Sequence, residues 1–134
     1  MAEGLAVALP LHIDSVDGAY GLHKDLIDMA EQNLKMIILT SPGERVMEPN
    51  FGVGIRGYLF AQNTPGTLET IRRSIVEQVA TYLPYIIIRN LQVFSPTILG
   101  GTATDVDATR ISISLTYEIP AAQVVSNLTL PIEI

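Results

Sequence analysis

Two glutamates four positions apart, Glu44 and Glu48, stand just ahead of Gly52-Val53-Gly54-Ile55-Arg56-Gly57. Each feature matches a known chemistry. A carboxylate pair can hydrolyse a glycosidic bond when one group is held protonated and the other ionised. A G-x-G-x-x-G run can bring backbone N–H groups up to a pyrophosphate at the start of a helix. Both chemistries depend on context. The glycine run follows Glu44, Arg45, Glu48, Pro49 and Asn50, where a dinucleotide loop would follow a buried strand. The acidic residue expected about twenty positions further on falls inside a helical pattern. The glutamates have no tryptophan wall nearby to hold one of them protonated. A solvated pair, or pairing with Arg45, is the simpler reading. For the glycines, turns and close packing suffice.

Other candidates are sparser. His12 and His23 lack the spacing of a metal site, and turn or surface roles suit them better. There is no nucleophile elbow and no phosphate-loop lysine. Asn127-Leu128-Thr129 matches a glycosylation triplet, yet it lies in a strand pattern and no secretion signal precedes it. No cofactor is implied.

The elements that must position these residues are legible from periodicity. Leu26, Ala30, Leu34 and Ile38 recur every four positions, which predicts an amphipathic helix over 24–40, with Glu31 and Lys35 set for an i,i+4 ion pair. Thr64 and Pro65 are a helix start, Pro84 a stop, and Leu68, Ile71, Ile75, Val79 and Tyr82 form the stripe between them. A short helix is expected over 53–60, after an irregular loop. Strict alternation marks 111–119 as a half-buried strand, while 86–94 alternates strictly only from Asn90 onward. Gly100-Gly101 opens a long loop between these strands. A last strand follows Pro120 to the final residue, its even positions apolar apart from Ser126, and Pro131 suits an edge. Arg89 interrupts the apolar pattern of its strand. An exposed edge position explains it more simply than an ion pair at an interface. Ahead of all this, residues 1–20 read as extended segments broken at Pro10 and Asp17-Gly18. The fold class is α+β: two main amphipathic helices and a short one packed on a small, largely antiparallel sheet.

At 134 residues the chain reads as one domain, 1–134, able to bury roughly two-thirds of its unfolded surface. Eight basic against fourteen acidic residues give a net charge of −6, which argues against nucleic acid as a partner. Cysteine is absent, so thiolate metal sites, disulfides and a cysteine nucleophile are excluded. The opening lacks a basic region ahead of its apolar run, and no apolar run is long enough to span a bilayer, so a soluble protein without a membrane partner is expected.

The stretch "IILTSPGERVMEPNFGVGIRGYLF" resembles the contractile-tail baseplate wedge family, which includes a lysozyme-like phage wedge protein and a type VI secretion baseplate component. "LPLHIDSVDGAYG" is similar to the family's opening segment and "SNLTLPIEI" to its terminal strand. Two departures stand out. Leu83-Pro84-Tyr85 replaces the family's usual Glu-Pro-Arg, and Ala61 stands where a glutamate is common. The charged pair that the resemblance associates with wedge assembly is therefore missing, and whatever docking it provides is either met here by apolar or aromatic contact or lost.

The resemblance implies a structural virion protein of the tail baseplate, assembled in the bacterial cytoplasm in several copies around a six-fold axis. Its implied partners are other wedge proteins, the tail sheath protein and tube-side hub proteins. The expected role is to join wedge subunits and to seat the first sheath ring by strand exchange. The implied interface residues are Glu44, Arg45, Glu48, Pro84, Tyr85, Arg89, Leu128, Leu130 and Ile132, with Phe51 and Phe60 anchoring the glycine loop in the core. The competing reading is a peptidoglycan-cleaving enzyme using Glu44 and Glu48; a small binding module outside any tail is a third.

Overall fold

The computed structural model describes residues 4–61, 64–95 and 110–132. The loop expected around Gly100-Gly101 and the end of the last strand lie outside the described residues. The chain opens with a short hairpin: β1, Ala6–Val7, pairs antiparallel with β2, Leu22–His23. Strands of two residues are too short to show alternation, so the sequence marked only extended chain here. One side chain fastens the hairpin to the first helix. The Gln32 amide donates to Val7 O at 3.0 Å and accepts from Leu9 N–H at 2.8 Å, with His23 Nε2 2.9 Å from the same oxygen.

Helix α1, Leu26–Leu39, begins where the Asp25 carboxylate accepts the Ile27 N–H, a cap that also meets the positive end of the helix dipole. Its predicted stripe is the buried one: Ala30, Leu34 and Ile38 face the core, joined by Ile37. On the flank Lys35 and Glu31 form the anticipated ion pair at 2.6 Å. Helix α2 is a single turn, Ile55–Tyr58, shorter than expected. Helix α3, Pro65–Tyr82, has Thr64 as its cap and Pro65 at its first turn, and buries Ile71, Ile75 and Val79. One expectation fails here. Phe60 is 80% exposed. Ile55 and Leu59, four apart, are the pair that this short turn directs inward, which sends the next residue out to solvent.

The main sheet is antiparallel with strand order β3-β4-β5: Ile87–Phe94, Ile111–Ile119 and Val124–Ile132. Central β4 buries every odd residue under the helices and leaves Ser112, Ser114, Thr116 and Glu118 half-covered on the other face. Between β3 and β4 the register slips by one residue at Arg89, a β-bulge. That slip is why the apolar residues shift from Ile86 and Ile88 to Leu91 and Val93, and why alternation became strict only past Arg89. Between β4 and β5 nine consecutive pairs are in register. Ser126, the interruption in the apolar row of β5, sits opposite Tyr117. The Tyr117 side chain is wholly buried and its hydroxyl lacks a well-formed hydrogen bond. Burial raises the phenol pKa above its ordinary value, with the Ser126 hydroxyl acting in the opposite direction.

The glycine stretch closes the end of α1. Val53 N–H donates to Ile37 O and Gly54 N–H to Thr40 O, both at 2.9 Å, so the loop satisfies carbonyls that the ending helix leaves open. Gly52 makes this approach possible. It has φ +105°, and a Cβ there would lie 2.1 Å from the Thr40 oxygen. From α3, the Gln78 amide grips the same loop, accepting from Gly52 N–H at 2.9 Å and donating to Asn50 O at 3.0 Å. Gly57 is different: it sits in α2 with open space around its Cα, so the third glycine of the motif has no steric necessity.

Two outcomes test this packing. Gly52→Ala should cost at least about 2 kcal/mol in denaturant unfolding, from strain and clash together, whereas Gly57→Ala should be neutral or gain up to about 1 kcal/mol. Tyr117→Phe should keep stability at neutral pH within about 1 kcal/mol, because an enclosed hydroxyl without a good partner contributes little. The variants should part in alkali. The unfolded phenol ionises near pH 10 while the folded one resists, so wild-type stability is intact below that pH and falls above it. Denaturation midpoints at pH 8 and above pH 10 should show this loss in the wild type and a smaller one in Tyr117→Phe.

Candidate assembly interface

The residues implicated by the sequence fall into three places. Glu44, Arg45 and Glu48 share the loop of residues 41–51, all exposed. The Glu44 carboxylate accepts Ser41 N–H at 2.9 Å, and Gly43 N–H donates to Pro49 O at 2.8 Å, closing the neck of the loop. The Arg45 guanidinium stacks on the Phe51 ring, 3.8 Å from its centroid, and Phe51 meets Tyr82 edge-on at 5.0 Å. Phe51 is buried and does anchor the loop as expected. Arg45 is thus held by an aromatic face rather than by the neighbouring glutamates.

Beside this loop lies the turn from α3 to β3. Leu83 is buried, Pro84 is exposed, and the Tyr85 hydroxyl accepts from Asn33 Nδ2 at 2.8 Å. Tyr85 therefore ties the turn to α1 within the chain. Between these parts is an open hollow of about 360 Å³, lined by Arg45, Phe51, Leu83, Asn33, Met36 and Leu9 among others. Arg45 borders it, but neither Glu44 nor Glu48 does. The two carboxylates that might have done hydrolytic chemistry stand in solvent, one of them engaged on a backbone N–H.

The third place is the sheet, whose two edges are unlike. Arg89 lies at the bulge of edge strand β3, as its break in the pattern implied, and it is also ion-paired. Its partner is within the chain: Arg89 Nε is 2.6 Å from the Glu118 carboxylate on β4. Two residues along, Arg72 reaches down from α3 and donates from Nε to Leu91 O at 3.1 Å. Bulge and guanidinium together obstruct the β3 edge. The opposite edge is β5. Among the described residues its backbone bonds to β4 alone, and Pro131 sits where an edge strand tolerates a missing N–H. Leu128 and Ile132 are buried and Leu130 half-buried, so these side chains face the core. What β5 offers outward is its main chain and the exposed row Val125, Asn127, Thr129 and Pro131.

Sequence reasoning missed Gln78 and Gln32, which hold the loop and the hairpin. Neither interrupts a hydrophobic period, so periodicity carries no trace of them.

Comparison with known proteins places this architecture. The profile of a family described as baseplate wedge protein gp25 matches residues 25–124. The resembling segments at either end, "LPLHIDSVDGAYG" and "SNLTLPIEI", fall outside that match. No curated protein matches the chain. Among solved structures, a Geobacter sulfurreducens protein designated a tail lysozyme superposes with a TM-score of 0.67 at 23% identity, over 85% of this chain and 96% of the other. A chain of the six-fold symmetrised anti-feeding prophage baseplate, seen by cryo-electron microscopy, gives 0.68 at 21% identity, over 85% of this chain and 83% of that one. At such identities the two structures speak for a shared fold. The family match covers most of the chain, which therefore belongs to the baseplate wedge protein gp25 family and is a baseplate component.

Proposed function

We propose that this chain is a non-enzymatic wedge subunit that joins its neighbours in the baseplate and seats the first ring of tail sheath. The observation that carries this reading is the asymmetry of the sheet. One edge is obstructed by the Arg89 bulge and by Arg72 on Leu91 O, while the other is a nine-residue strand with no bonding partner besides β4 among the described residues. A sheet guarded on one side and open on the other suits addition of a partner strand, where main-chain bonds give affinity. A sheath subunit supplies that strand. The loop bearing Glu44, Arg45 and Glu48, and the turn at Pro84 and Tyr85, face the other wedge proteins and the tube-side hub. Arg89 is the least suited of the sequence-implied contacts, since Glu118 already neutralises it. Leu128, Leu130 and Ile132 act by fixing β5 to the core. Assembly takes place in the host cytoplasm, in several copies around the six-fold axis, before the tail is complete.

Electron microscopy of particles made without this gene tests the proposal. Tail tubes lacking sheath, or incomplete baseplates, are the expected result. Complete contractile tails that fail only at wall penetration would overturn it and favour hydrolysis; purified protein would then clear cell walls, and Glu48→Gln would abolish the clearing. At the residue level, Arg45→Ala should lower the stability of the isolated chain by about 0.5–1 kcal/mol, the worth of an exposed cation–π contact. Its effect on wedge assembly, read by sedimentation of assembly intermediates, should be larger than that loss explains. Equal losses in both would confine Arg45 to folding.

A further inference from the structure

We propose that Val46 and Met47, at the tip of the loop of residues 41–51, form a plug that seats in an apolar pocket of another baseplate protein. This rests on the assembly reading above and names a contact that the charged residues of the loop had obscured. Val46 is 95% and Met47 92% exposed, the most exposed large apolar residues described. A single apolar side chain on a surface needs no explanation. Two adjacent ones held clear of the body on a tied stalk do.

The stalk is fixed from several sides. Gly43 N–H to Pro49 O closes the neck, Glu44 is bonded to Ser41 N–H, and Phe51 N–H donates to Glu48 O at 3.1 Å. Arg45 stacks on buried Phe51, and Gln78 holds Asn50 O from α3. The loop therefore presents its tip in one arrangement before any partner arrives, which lowers the entropic cost of binding. Methionine suits the task, because its unbranched thioether adapts to an irregular cavity.

The flanking charges describe the receiving site. The tip reads Arg45, Val46, Met47, Glu48, cation and anion on either side of the apolar pair, and neither has a salt-bridge partner among the described residues. The complement is a concave apolar floor with a carboxylate and a cation on its rim, which is a protein pocket. A lipid surface offers no such alternation, and the net charge of −6 opposes an anionic one. A second copy of this chain is also a poor fit. Two convex tips meeting would bury far less than the roughly 1,000 Å² that a stable interface needs.

The test uses particles from cells lacking the gene, complemented with the wild-type chain, with Val46→Ser combined with Met47→Ser, or with Ile13→Ser combined with Val16→Ser as an equally exposed control. The amount of this chain in purified particles, relative to tube protein, and the Tm of each isolated chain are measured. The tip variant should keep its Tm within about 2 °C, as exposed substitutions do, and fall at least tenfold in the particles while the control is retained. Peroxide oxidation of Met47 should be at least tenfold slower in wild-type particles than in the free chain, with half-buried Met29 and Met36 as references. Undiminished incorporation, equal oxidation of Met47 in both states, or a fall in Tm that matches the loss would overturn the plug. So would a wild-type dimer in solution that the tip variant abolishes, which would assign the tip to a second copy. If the wild-type chain itself is missing from particles, it is the assembly reading that fails.

Discussion

The end of α1 is the constraint on which the rest is built. A helix that stops leaves its last carbonyls without intrahelical donors, and buried carbonyls must find others. Here the donors come from Val53 and Gly54, after the chain has gone out through the whole loop of residues 41–51 and come back. The return is possible because Gly52 has no Cβ to strike the Thr40 oxygen. That single close approach sets where the loop leaves the body and brings Phe51 into the core. It also delivers Ile55 and Leu59 to the space beside α1. The side-chain amide of Gln78 then links the same segment to α3, so the loop is tied to both helices. A motif that superficially resembles a phosphate cradle is thus a helix terminator made from another part of the chain.

Much of the fold was legible because burial imposes periods. The stripes of α1 and α3 and the alternation of β4 all matched their buried faces. Even the bulge at Arg89 left a trace, in the change of phase between Ile88 and Leu91. Other features had no periodic trace to read. The direction of Phe60 depends on which residues a one-turn helix sends inward, and its apolar character is silent on that point. The β1-β2 pairing is two residues long. Gln32 and Gln78 act through amide bonds to backbone, in positions where a solvent-facing glutamine would look the same.

The candidate site was half visible for a related reason. The resemblance drew attention to charged residues, because charges are what a motif displays. In the structure those charges are largely occupied within the chain: Glu44 with Ser41, Arg45 with Phe51, Arg89 with Glu118. Tyr85 also turns inward, to Asn33. What remains turned outward is less conspicuous in a sequence: a length of main chain on β5 that bonds only to β4 among the described residues, and two apolar side chains between an arginine and a glutamate.

The outer edge of β5, uncovered among the described residues, has a consequence for the newly made chain. β4 and β5 are joined by a turn of four residues, with Gln123 at φ +53°, so their nine-pair hairpin is closed by local contacts at a low loop-closure cost. The strand left free by that hairpin is available to any extended segment it meets, including the same strand of another newly made copy. Such an edge is a hazard of aggregation as long as it stays uncovered. Pro131 interrupts it near one end, and Asn127 and Thr129 put polar side chains beside exposed Val125 in the outward row, both of which discourage sheets from stacking on it. A strand edge of this kind therefore favours a chain made at low concentration, where two uncovered edges seldom meet.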